Sequence, residues 1–428
     1  MSALHLRGAR LVDPEAETEA EGDLLILDDV IAAVGDVIAP ASAEVVDCAG
    51  KALAPGIVDL GVYVGEPGAR HRESYRTAGL AAAAGGVTTF VAMPSTEPPI
   101  DDPAMVEFVR RRAEEICPVN VHVLGALTQG LGGERMSEMG FLRDAGAVGF
   151  TDGDRYLADA GVLRRCLAYA AALEALVLHH PQEAALSDGV ATEGFFATKS
   201  GLPGVPALAE RMGLERDLAL VELTGARYHA HQLSTAAALG PLERAKRAGL
   251  DVTASASIHH LTLNEIDIEP YRTFFKLRPP LRAEEDRQVL VQAAAEGLID
   301  VICSGHLPQD EELKRVPFAA AAHGAVGLET LLPAAMQLVH GGAMDLPTLW
   351  ARLSLAPARR LSLPGGRLAE GAPADLVLFD PDAPFVLDRF RLNSRSKNTP
   401  YDGRRMEGRV LATWVGGRLV HGRGAWAV

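Results

Sequence analysis

The chain reads as an α/β protein: a (β/α)8 TIM barrel with a small β domain built from both chain ends. Two observations predict this. Between residues 56 and 360, eight short β-like runs alternate with Ala- and Leu-rich helical stretches, the pattern of strand–helix repeats closing into a barrel. The two ends lack that alternation and read as short strands with turns. The division is 1–52 for the N-terminal part of the β domain, 53–362 for the barrel and 363–428 for the C-terminal part. A doubly wound open sheet is the alternative architecture, but no Gly-rich dinucleotide turn follows the first strand.

Taken in order, the N-terminal segment offers "ALHLRGARLVDP", "DLLILDDVIAAVG" and "AEVVDCAG" as strands. The acidic run "DPEAETEAEGD" between the first two reads as a solvated turn. The barrel strands are "GIVDLGVY" (56–63), "TTFVAMP" (88–94), "VNVHVLGAL" (119–127), "AVGFTD" (147–152), "ALVLHH" (175–180), "RYHAHQL" (227–233), "DVTASAS" (251–257) and "DVICSG" (300–305). Helical stretches such as "ESYRTAGLAAAAGG", "DAGVLRRCLAYAAALEA" and "TAAALGPLERAKRAG" separate them. The Gly and Pro content of "EGFFATKSGLPGVPALAERMG" (193–213) predicts an ordered loop over the barrel mouth. At the C-terminal end, "GAPADLVLFDPD" and "VLATWVGGRLVHGRG" supply further strands.

Bulk properties bound the function. Apolar residues make up 48% and charged residues 23% of the 428, ordinary for a soluble globular protein. A net charge of −15 argues against nucleic acid, whose phosphates demand a basic face. No apolar run reaches the roughly 18 residues that span a bilayer, and the N-terminus lacks a signal pattern. The four cysteines are scattered with no CxxC pair, which suits reduced thiols in a cytoplasmic protein.

Several stretches carry a resemblance that covers essentially the whole chain. They are "AAAAGGVTTFVAMPSTEPP", "GLPGVP", "HQLST", "IHHLTLNE", "PPLR", "GLETLLP", "GAPADLVLFDPD" and "SKNTPYDGRRMEGRVLATWVGG". With them the sequence resembles dihydroorotase and, more broadly, the cyclic amidohydrolases that include hydantoinase and allantoinase. "GLPGVP" and "SKNTPYDG" favour the dihydroorotase branch. The resemblance implies a zinc site at the C-terminal mouth of the barrel and reversible hydrolysis of a cyclic amide.

It also lets each implied site position be checked. The family's first strand reads Asp-x-His-x-His-x-Arg, whereas "DLGVYVG" keeps Asp59 and places Gly61, Tyr63 and Gly65 at the two ligand histidines and the carboxylate-clamping arginine. The metal-bridging carboxylate falls on Gly153, flanked by Asp152 and Asp154. His180 and His231 keep the ligand positions of the fifth and sixth strands. The general-base aspartate of the eighth strand falls on Gly305, followed by His306. Two substrate-binding asparagines become Ser95 and Arg278, and the histidine beyond the eighth strand becomes Gln309.

These departures have chemical weight. A catalytic zinc needs about three protein ligands beside its water, and two imidazoles fall short. No lysine lies between Lys51 and Lys199, so a carbamylated lysine cannot bridge two metals on the fourth strand. Glycine at 305 cannot move the proton from attacking water to leaving nitrogen, a contribution of roughly 10²–10⁴-fold. His306 points to the other side of an ideal strand.

The sequence therefore predicts a catalytically inactive homologue without a required cofactor, residual zinc resting on His180, His231 and Asp152 at most. Some inactive forms in bacteria resemble structural partners of aspartate transcarbamoylase, and the resemblance implies that partner here, along with homo-oligomeric assembly. Two rivals stand. One is an active amidohydrolase with a single metal on His180, His231 and Asp152 or His306. The other is a non-catalytic small-molecule binding protein using Arg278, with Ser95 and Tyr63 beside it. Beside these, His179 reads as packing between barrel and helix, His229 as interior filling, and His259 and His260 as structural support of the mouth. Asp59 reads as a hydrogen-bond acceptor inside the barrel.

Overall fold

The computed structural model describes residues 3–269 and 271–422; Met1, Ser2 and the Arg423–Gly424 end of the last predicted strand lie outside the described residues. Strands from the two chain ends pair into one sheet. Its order runs Arg418–Gly422, Arg409–Val415, Leu376–Asp380, Ala52–Pro55, Ala3–Asp13, Thr18–Leu27 and Val30–Gly35, with Glu44–Asp47 added in parallel to Ala3–Asp13. The junction between the ends is antiparallel, with Leu378 opposite Leu53. Alternation along these strands turns Leu6, Leu24, Ile26, Leu53, Leu376 and Leu378 into one buried cluster, as half-buried strands require.

The second sheet contains the eight barrel strands, all parallel: Ile57–Val62, Val87–Ala92, Asn120–Ala126, Ala147–Thr151, Leu176–His179, Arg227–Ala230, Val252–Ser257 and Val301–Cys303. Seven lie within runs read as strand from the sequence, and the second begins one residue before its run, at Val87. The barrel closes between the first and eighth strands through two contacts. Ser304 N donates to Asp59 Oδ1 at 2.8 Å, and Tyr63 N donates to the His306 carbonyl at 3.0 Å. An open doubly wound sheet is thereby set aside. Leu60, Val91, Met93, Leu124, Leu178 and Val301 fill the interior, which makes the barrel a packed core.

The outer helices start where their capping residues say they should. Ser74 and Thr77 form a reciprocal capping box ahead of Tyr75–Ala84, and Asp102 and Asp159 cap Pro103–Ile116 and Ala160–Ala172; each satisfies amides that a helix start leaves unpaired.

Two expectations are corrected. Residues 193–213 are not a loop: they hold the helix Phe195–Ser200, the short strand Gly204–Val205 and the first turns of Ala207–Thr224. Gly201 ends the first helix in the left-handed region, and Pro206 precedes the second. The glycines and prolines thus punctuate helices, and the Ala- and Leu-containing stretch after Pro206 propagates one. The acidic run is also more ordered than a turn, since Thr18–Asp23 belongs to a strand whose side chains largely face solvent. Exposure of one face lets a charged sequence pair its backbone without burying charge. Among the described residues, no helix is long and apolar enough to cross a membrane.

Trp350, the last residue of the helix Leu346–Trp350, fastens that helix to the flanking sheet. Fully buried, it stacks on Phe379 at 4.8 Å between ring centroids and donates its indole N–H to the Pro55 carbonyl at 2.9 Å. Trp350→Ala should therefore lower stability by about 3–5 kcal/mol in urea denaturation, with Trp350→Phe retaining much of the packing. A loss under about 1 kcal/mol for the alanine variant would remove Trp350 from this role.

Candidate functional site

The C-terminal ends of the strands form the barrel mouth, where such folds place their chemistry. On the first strand, Gly61 has φ +93°, and a Cβ built there would stand 2.8 Å from His231 Nε2 and 2.8 Å from the Met93 methyl. Tyr63 packs its ring on the apolar filling of the barrel. Its hydroxyl stands 3.1 Å from where a Cβ on Gly153 would lie, and Ser95 Oγ only 2.6 Å from it. Gly305 has φ +62°, and a Cβ there would meet Ser257 Oγ at 2.5 Å. Glycine is the residue these backbones favour, and neighbouring groups have closed over the vacated volume.

His180 and His231 do come together. The His180 Nδ1–H donates to the His231 carbonyl at 3.0 Å, which leaves its Nε2 as a lone pair. His231 Nδ1 contacts Ser255 Oγ at 3.2 Å. The Nε2 atoms of both are buried without a hydrogen-bond partner. Burial holds His180 down to about 4 and, with added repulsion from His180, His231 to about 3, so both rings are neutral at pH 7.

The third ligand is what the geometry does not supply. Asp152 Oδ1 accepts the amides of Leu127 and Thr128 at 3.0 and 2.9 Å, and its Oδ2 accepts the Thr128 hydroxyl at 2.5 Å. It organises the turn after the third strand rather than facing the imidazoles. Asp154 is held by His323 Nε2 at 2.6 Å and by Arg278 at 3.7 Å. Against the opposing effect of burial, the His323 hydrogen bond and these positive neighbours draw its carboxyl down to about 2. His306 Nδ1 accepts the Gly327 amide at 3.1 Å, while its Nε2 lies 3.7 Å from the buried Glu73 carboxylate. Among the described residues, no three His, Cys, Asp or Glu side chains are grouped to hold a metal ion. A catalytic zinc, with about three protein ligands, does not fit this mouth.

Arg278 stands at the rim, 40% exposed, 5.8 Å over the Tyr156 ring. Tyr156 in turn stacks on His180 at 5.3 Å. The gap left among Tyr63, Asp154, Gln232, His259, His260 and Arg278 amounts to about 20 Å³. One water needs roughly 10–15 Å³ on a comparable measure, and small-molecule pockets span roughly 300–1,000 Å³. The mouth is plugged.

The other histidines singled out in the sequence, His179, His229, His259 and His260, are each held by a hydrogen bond. His179 donates to Asp217 at 2.6 Å on the helix Ala207–Thr224 and accepts the Leu157 amide at 3.2 Å. His229 contacts Thr253 at 2.8 Å in the interior, its ring 6.2 Å from that of His231. His259 meets the Tyr401 hydroxyl at 3.3 Å, and His260 donates to the Pro279 carbonyl at 3.1 Å. Gln309 donates to the His323 carbonyl at 2.8 Å. Sequence reasoning missed Tyr156, His323 and Glu73. Each reaches the mouth from a loop or helix start with no fixed spacing to a strand motif, so nothing local flagged it.

A closed parallel barrel with a two-ended flanking sheet and paired imidazoles at its mouth defines an amidohydrolase-type protein, and comparison with known proteins narrows the class. The family model described as Dihydro-orotase-like matches residues 50–238. The dihydroorotase of Geotalea daltonii is 38% identical over 422 residues, covering 98% of this chain and 99% of that protein. The dihydroorotase-like protein of Pseudomonas aeruginosa is 41% identical over 420 residues, with 98% and 99% covered. Among solved structures, the L-hydantoinase (dihydropyrimidinase) from Arthrobacter aurescens matches with a TM-score of 0.90 at 26% identity, covering 100% of this chain and 98% of that one. The chain belongs to the dihydroorotase-like family of the amidohydrolases.

The neutral imidazoles give a pH prediction. Their folded pKa values lie below the unfolded value of about 6.5, so between about 6.5 and 4 the unfolded chain binds protons that the folded chain refuses. Stability therefore falls as pH drops through that window. His180→Asn should make the fall shallower by as much as about 1.4 kcal/mol per pH unit, the contribution of one proton, in denaturation curves at pH 6 and 4.5. An unchanged slope would mean that His180 titrates alike in both states.

Proposed function

We propose that this chain is a dihydroorotase-like protein of the pyrimidine pathway that does not catalyse the reaction. In this reading it self-associates and acts as a structural partner of aspartate transcarbamoylase. The observation that carries the reading is the plugged mouth, where Tyr63 and Ser95 occupy the space beside Gly153 and about 20 Å³ remains. Hydrolysis of a cyclic amide needs a positioned water, a group that moves its proton and room for the ring. Gly305 carries no such group, and its neighbours leave no space for one. The partner follows from the resemblance to inactive dihydroorotase forms that act as structural partners of aspartate transcarbamoylase.

A second reading has one observation in its favour. The orphaned Nε2 atoms of His180 and His231 are a pair of metal-competent lone pairs, which suits a weakly held single zinc and a reduced amidohydrolase activity. The two readings separate on turnover. With dihydroorotate, with or without added zinc, the scaffold reading predicts a rate equal to the protein-free control. It further predicts co-elution with aspartate transcarbamoylase of the same cell when the two are co-expressed and passed over a sizing column. Zinc-dependent turnover would establish the second reading, and separate elution at micromolar concentrations would remove the partner.

A further inference from the structure

The end of the barrel opposite the mouth holds a cavity of about 420 Å³ between the starts of the sixth and seventh strands, the turn at residues 14–17 and the helical stretch 351–360. Four arginines line it: Arg227, Arg352, Arg359 and Arg360. Four carboxylates answer them, Glu15, Glu17 and Asp300 on the wall and Asp251 beside it, and Lys246 adds a fifth cation. Arg359 pairs with Glu15 at 2.6 Å, and Arg227 and Arg360 share the single carboxylate of Asp251. Asp300, also on the wall, is held by Lys246 at 2.7 Å. Arg352 is half-buried yet forms no ion pair among the described residues; its Nε donates to the Ala294 carbonyl at 2.9 Å, and no partner takes its terminal nitrogens. Arg360 is 7% exposed at its side chain, and its Nε is buried with no hydrogen-bond partner.

The backbone brings these two side chains to one wall. Residues eight apart on an α-helix lie about 80° apart around the axis. Here Ala351–Leu355 is π-helical before Ala356–Arg360 resumes the α form. The wider π turn takes less rotation per residue and moves Arg352 toward the face of Arg360; such turns recur at functional sites.

We propose that this basal cavity binds a small phosphorylated molecule, its phosphoryl oxygens accepting from the terminal nitrogens of Arg352 within the positive field of Arg227 and Arg360. Guanidinium forks match phosphate geometry, and the volume suits a ligand of metabolite size. The site lies away from the mouth, so it stands or falls apart from the reading of the barrel's chemistry.

The test is a calorimetric titration of the full chain with inorganic pyrophosphate at constant ionic strength, with citrate as the carboxylate comparison. The expected result is saturable binding of pyrophosphate in preference to citrate. Arg352→Gln should weaken it about ten-fold or more, the worth of one charge-assisted hydrogen bond, and Arg278→Gln at the mouth should leave it unchanged. Glu17→Gln, on the exposed turn, should tighten it by removing a repulsive carboxylate and gives a readout if the arginine variant folds poorly. No saturable binding, equal binding in Arg352→Gln, no tightening in Glu17→Gln, or loss in Arg278→Gln would each overturn the proposal. Equal or tighter binding of citrate would overturn its phosphorylated class.

Discussion

The carboxylate of Asp59 is fully buried on the first barrel strand and accepts the amide of Ser304, 245 positions along the chain, at 2.8 Å. A parallel barrel must join its first and last strands, and here the eighth strand is only Val301–Cys303. With so short a ladder, a side-chain acceptor and the Tyr63–His306 backbone bond carry the seam. Burial raises the carboxyl of Asp59 to about 6 against the pull of the Ser304 hydrogen bonds, and one of its oxygens is hydrogen-bonded while the other is unpartnered. An isolated buried charge is costly unless bonded. The seam therefore fixes where the first strand runs, and with it where Gly61 and Tyr63 stand relative to His231.

The mouth follows from that placement. Its substitutions are mutually dependent: Tyr63 and Ser95 fill space that a side chain at 153 would need, His231 and Met93 crowd position 61, and Ser257 crowds position 305. Interiors are close-packed and yield little, so restoring one ligand to any of these positions would clash with a neighbour that has already moved in. Asp152 and Asp154 have likewise been absorbed, the first into the turn at Thr128 and the second into a cluster with His323 and Arg278. The site is a consistent repacking.

Much of this was legible in the sequence. All eight barrel strands fell in short β-like runs between helical stretches, even "RYHAHQL" with no β-branched residue, and the losses at 61, 153 and 305 could be read because the resemblance to the family's motifs fixes which position each ligand would take. What could not be read depends on contacts that spacing does not encode. Residues 193–213 resemble a loop by composition, yet Gly201 and Pro206 mark where one helix stops and another starts. His323 reaches Asp154 across 169 positions, and the near-complete filling of the mouth is a property of volumes, which no one-dimensional pattern reports.

Zinc per chain tests the central claim most directly, measured by elemental analysis after purification and again after equilibration with excess zinc and removal of the free ion. The repacked mouth predicts retention near zero in both cases, since two buried lone pairs without a third ligand hold the ion weakly. One tightly held zinc per chain would contradict the account, because a third ligand would then have to reach His180 and His231 through space that Tyr63 and its neighbours occupy.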